Sequence, residues 1–169
     1  ANILNKISND NKVKYGLLQY DCLSMIAKCI STQTSRERFN AEYSPFILDC
    51  IEILIILCQK TSDFSKYSKY LIPLTLLNLL KIFKADDMIQ NKISNLFRVL
   101  LDFDENIEIL ECEDLSPLFS LLDSSNKETV ENTVFAISNG VQISDSFVDT
   151  IAELEEPLGI VQLCNQLKK

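Results

Sequence analysis

The chemistry open to this chain is limited first by a residue it lacks: it has six cysteines and no histidine. Without an imidazole there is no Ser–His or Cys–His pair to activate a nucleophile, and no His-ligated zinc. The thiols are Cys22, Cys29, Cys50, Cys58, Cys112 and Cys164. The first four form two pairs spaced seven and eight residues apart, or two turns along one helix face. That is the spacing of a core stripe, not of a CxxC metal knuckle. In a chain of 169 residues they read as reduced thiols acting as small core hydrophobes, which points to an intracellular protein, cytoplasmic or nuclear. Gly16, Gly140 and Gly159 cannot assemble a phosphate-binding loop. Carboxylates are abundant, and none stands out as half of an acid–base pair. The expectation is a protein with no catalytic residues, no metal site and no cofactor.

Recognition is the remaining possibility, and one stretch raises it. TVENTVFAISNG (129–140) places Val130, Val134 and Ile137 at helical core spacing. On another face it carries Phe135 and, four residues later, Asn139. A helix that packs on one side only has no need of that second pair. Either the two form a binding face, or Phe135 packs on a neighbouring element and Asn139 caps the helix before Gly140.

Charge is unevenly divided. The net charge of −8 conceals about +4 over residues 1–85 and about −12 over residues 86–169. Nucleic acid is an unsuitable partner for such a chain, since phosphate attraction needs a basic surface. The acidic half, with the run DFDENIEILECED (102–114), would favour a basic segment of another protein. No membrane insertion is expected, because the apolar runs ILDCIEILIILC and YLIPLTLLNLLKIF fall short of the roughly 20 residues a spanning helix needs.

The elements that must position these residues are helices. With 47% hydrophobic residues but only 3 Gly and 4 Pro, the chain has a core and little material for tight turns. Apolar periodicity predicts helices over 3–8, 13–31, 44–60, 63–69, 70–84, 86–101, 105–112, 115–123, 126–141, 145–153 and 156–168. A polar loop is expected over 32–43. Laid on itself at 41 residues, the chain aligns Asp63, Asp104 and Asp145, each expected just before a short helix as an acidic cap. The same shift pairs Ile89 with Val130, Asn91 with Asn132, Ile93 with Val134 and Leu96 with Ile137. Pro73, Pro117 and Pro157 recur near the start of each second helix. A helical period near 40 implies stacked repeats of short, medium and long helices.

Glu131, Asn132, Phe135, Ala136, Ile137 and Asn139, followed by Asp145–Leu154 and Pro157-Leu158, resemble the armadillo repeat, with the clearest match over 114–158. The resemblance implies an all-α, right-handed α-solenoid of armadillo-type repeats whose third helices line a concave, peptide-binding face; a HEAT-like solenoid is the alternative. Members of that family grip basic peptides with a Trp and an Asn four residues apart, and Phe135 and Asn139 stand at those positions. One repeat earlier the same slots hold Ser94 and Arg98, and Arg98 would repel a basic ligand locally. The groove face is therefore expected to carry Gln90, Ser94 and Arg98 from one third helix and Glu131, Phe135 and Asn139 from the next.

The resulting expectation is a single armadillo-like helical repeat domain over 1–169, excised from a longer protein. It would be a non-enzymatic scaffold that binds another protein through a basic or extended segment. Two alternatives accompany it: a structural module that forms a homodimer through its uncapped C-terminal end, and a regulator of an enzyme, such as a small-GTPase exchange factor.

Overall fold

The structure, a computed structural model, describes residues 10, 12–13, 16–17, 22–34, 44–59, 72–111 and 113–154. Among these residues every regular element is helical, as the periodicity required. In chain order they are α1 (Cys22–Thr34), α2 (Ser44–Cys58), α3 (Ile72–Ile82), α4 (Asp87–Leu100), α5 (Asp104–Glu108), α6 (Ser116–Phe119), α7 (Lys127–Ile143) and α8 (Asp145–Ala152). A 3-10 turn, Ser120–Asp123, continues α6. The helix α1 runs three residues into the stretch expected to be loop, and residues 35–43 lie outside the described set. The helices expected over 3–8, 63–69 and 156–168 also lie outside it, as does Asp63.

Local chemistry sets the helix starts. The Asp86 carboxylate accepts from the backbone N–H groups of Met88 (3.2 Å) and Ile89 (3.1 Å), and starts α4. Asn126 does the same for α7 through Glu128 and Thr129. These caps satisfy donors that the first turn leaves without partners. Asp104 and Asp145 differ from their expected capping role, since each is the first helical residue. The cap of α8 is Ser144, whose hydroxyl accepts from Phe147 N at 3.2 Å, and α5 begins at Phe103 without a side-chain cap. Both aspartates still lie in the first turn, where a negative charge meets the positive end of the helix dipole. Pro73 and Pro117 sit in the first turns of α3 and α6, where a missing N–H costs nothing.

Packing joins these helices in two rows. The helix α4 packs most extensively on α7 and next on α2, while α3 contacts α1, α4 and α6. Ile89, Ile93, Leu96, Phe97 and Leu100 of α4 are fully buried along one stripe. Each contributes about 1.5–3 kcal/mol on leaving water. The helix α7 answers with an unusual face. Its buried residues are Thr129, Asn132, Thr133, Ala136, Ile137 and Gly140, whereas Val130 and Val134 are only half-buried. The core stripe expected at Val130, Val134 and Ile137 is thus rotated toward small and polar side chains. Polar groups of α4 and α7, the most extensively packed pair, lie within hydrogen-bond reach of one another.

Candidate functional site

The surface shared by α2, α4 and α7 is crossed by a series of polar rungs. Lys92 Nζ on α4 meets Glu52 Oε1 on α2 at 2.8 Å. Asn91 Nδ2 donates to Glu128 Oε2 on α7 at 3.1 Å. Arg98 Nη1 donates to Asn132 Oδ1 at 3.1 Å, and its guanidinium carbon lies 4.4 Å from the centre of the Phe135 ring. Asn139 Nδ2 donates to Asp102 Oδ1, just past the end of α4. The hydrogen-bonded partners of the last three rungs are 34 or 37 residues apart, about one to two helical turns short of the 41-residue repeat, whereas Lys92 and Glu52 are 40 apart and nearly match it.

Of the six residues expected on the binding face, the structure brings two into direct contact. Phe135 is 51% exposed, and the exposed Arg98 covers one of its faces. Asn139, one turn further along α7, is half-buried and held by Asp102. Glu131 is exposed and pairs with Lys127 at 3.4 Å. Two residues depart from the expected row. Ser94 is fully buried, and its hydroxyl donates back to Asn91 O at 2.8 Å. Buried in this way, it offers nothing to a ligand. Gln90 is half-buried, donates to Lys84 O at 2.6 Å, and lines a different cleft of about 740 Å³ with Lys81, Asp114 and Ser124. The alternative role for Asn139 as a helix cap also fails. The helix continues through Gly140 to Ile143, and its end is marked by Ser144 N donating to Gly140 O.

Asn132 and Asp102 were not anticipated as members of this cluster. Asn132 was visible as the repeat mate of Asn91 and within the armadillo-like stretch, but not as a partner of Arg98. A search for complementary polar pairs 34–37 residues apart would have found all three cross-helix hydrogen bonds. Asn132 is 4% exposed, and its amide orientation follows from Arg98, since a guanidinium only donates. Its Nδ2 and the Thr129 hydroxyl are buried without a hydrogen-bond partner among the described residues. Arg98 thus satisfies the one end of this amide that has a partner. An exposed cation–π contact contributes about 0.5–1 kcal/mol. A hydrogen bond from a charged group contributes about 1.5–3 kcal/mol. Together they hold a long side chain that would otherwise sample many rotamers.

The acidic run 102–114 is partly structural. Glu111 accepts from Ser144 Oγ at 2.7 Å, and its carbonyl accepts from Thr150 Oγ1 at 2.6 Å, tying α8 down. Hydrogen bonds from Ser144 and Ser146 hold the Glu111 carboxyl below its ordinary range. Asp114 is lowered chiefly by hydrogen bonding to Ser116, with help from Lys81 at 3.3 Å. The thiols behave oppositely: burial pushes Cys50 up to about 11 and Cys58 up to about 12. Among the described residues no group of acidic or cysteine side chains could hold a metal ion. No described helix is long and apolar enough to cross a membrane. Compared with known proteins, the chain matches no family model, no curated protein and no solved structure.

Proposed function

We propose that this chain is a non-enzymatic interaction scaffold of armadillo type, which binds a segment of a partner protein across the surface of α4 and α7. The observation that carries the reading is Phe135: a half-exposed aromatic held in one orientation, on a helix whose neighbours are joined by polar rungs. A large apolar side chain left accessible beside hydrogen-bonding groups has the composition of an interface anchor. The side-by-side packing of α2, α4 and α7, with α1, α3 and α6 behind them, supports the stacked-repeat architecture.

The test is selection of binders from a random peptide library on the full chain, followed by affinity measurements on the double variant Phe135→Ala with Asn139→Ala. Loss of an anchor is expected to weaken binding by about tenfold or more, with a melting temperature within a few degrees of the parent. Affinity that survives the double substitution would remove the surface from consideration.

A second reading is self-association. Val141 and Ile143 near the end of α7 and Val148 of α8 are each about two-fifths exposed. Sedimentation equilibrium decides it: a dimer that dissociates on Val148→Asp supports a structural module, and a monomer at all concentrations excludes it.

A further inference from the structure

We infer that Arg98 is a receptor for a carboxylate, so that the segment bound at this surface presents an Asp or Glu side chain beside an apolar one. This rests on the reading of the α4–α7 surface as a protein-binding face, and it gives the local charge preference the opposite sign from the acidic half as a whole.

The guanidinium is fixed on two sides. Phe135 lies under its plane at 4.4 Å, and Asn132 Oδ1 accepts from Nη1 at 3.1 Å. A guanidinium carries five N–H donors, and one is committed here. The residue is exposed, and among the described residues no carboxylate forms an ion pair with it. The nearby acids of the surface have other partners: Glu131 is with Lys127, Glu128 with Asn91, and Asp102 with Asn139. What remains is a planar fork of donors, already ordered, next to the uncovered part of an aromatic ring. That arrangement matches the two oxygens of a carboxylate.

A basic ligand fares worse at this point. Its cation would compete for the ring face that Arg98 occupies. Displacing Arg98 would strip Asn132 of its hydrogen bond and leave both ends of a 4% exposed amide unpaired. A carboxylate disturbs neither contact. The net charge of −8 opposes the approach of an acidic segment at long range. At physiological salt that repulsion is screened beyond about 8 Å, whereas the contact itself is made at hydrogen-bond distance.

The experiment uses the same peptide-library selection on the full chain. Recovered binders are expected to carry Asp or Glu next to an aliphatic or aromatic residue. Their affinity should fall about tenfold for Arg98→Gln, and by less for Arg98→Lys, which keeps the charge and loses the fork. As a check that needs no change in the protein, replacing the peptide's own acid with its amide should cost the same factor. Binders that depend on Phe135 but are rich in Lys or Arg, and are indifferent to Arg98→Gln, would overturn the carboxylate assignment and leave the surface reading standing. Binders indifferent to Phe135→Ala with Asn139→Ala, or no binders at all, would overturn both.

Discussion

Gly140 gives the sharpest test of how α7 is held. It lies inside α7, three residues before the helix ends, in a position where alanine is ordinarily the better choice. In a helix interior Gly→Ala stabilises by about 1 kcal/mol, largely through the unfolded chain. Here a Cβ would meet Phe147 Cε1 at 2.5 Å, Cδ1 at 2.7 Å and Cζ at 3.1 Å. Ordinary carbon–carbon contact is about 3.5–4.0 Å, so the overlap is on the order of an ångström. The ring cannot swing into solvent, since Phe147 is fully buried and stands three residues past the Ser144 cap of α8. Overpacking of this kind costs about 1–3 kcal/mol. With a mid-range overlap cost of about 2 kcal/mol set against a propensity gain of about 1, Gly140→Ala should destabilise by about 1 kcal/mol. In a chain of this size that lowers the melting temperature by about 2–4 °C. Urea unfolding of the parent, Gly140→Ala, Phe147→Leu and the double variant separates the two effects. With the ring removed, alanine should stabilise by about 1 kcal/mol, giving a coupling of about 2 kcal/mol. A Gly140→Ala that stabilises the parent, or a coupling near zero, would refute the close approach of α8 to α7.

Arg98→Met keeps an unbranched apolar stem and loses the guanidinium; it should destabilise by about 1–2 kcal/mol in urea melts, because Asn132 Oδ1 loses its donor at a buried site. A variant as stable as the parent would mean water replaces the guanidinium at no cost. Alkylation by iodoacetamide at neutral pH, followed by peptide mass mapping, should modify exposed Cys29 ahead of the other described cysteines. Cys50 and Cys58, with pKa values pushed up to about 11 and about 12, should react only on unfolding. Acid should destabilise the fold. Glu111 has a folded pKa depressed below its ordinary 4.5, so its contribution is present in full above that value and is lost as pH falls through the folded pKa. Glu111→Gln should therefore flatten part of the decline seen in melts taken below about pH 4.5, and an unaltered slope would show that the Ser144 and Ser146 hydrogen bonds contribute nothing.

The divisions of the chain were legible in the sequence wherever their cause is local. Asp86 and Asn126 start helices by bonding backbone groups two and three residues away. The stripe Ile89, Ile93, Leu96 and Leu100 identifies the buried face of α4 from its own spacing. The site was legible only in part. Phe135 and Asn139 could be marked as out of place on a one-sided helix, but their partners Arg98 and Asp102 lie 37 residues back. Ser94 looked like a groove residue because its spacing from Gln90 and Arg98 is helical. Spacing alone cannot tell which side of a helix faces a neighbour.

By itself, then, the sequence determined that the described residues are helical and where most of their helices begin and end. Capping and apolar periodicity act within one or two turns and need no knowledge of the rest of the chain. Only the tertiary structure decided that α7 buries Thr129, Thr133 and Ala136 in place of its valines, that Arg98 lies over Phe135, and that Gly140 exists to admit Phe147. Those outcomes depend on how closely two helices approach and how each is rotated about its axis. Side chains more than thirty residues apart set both jointly, and no local window contains that information.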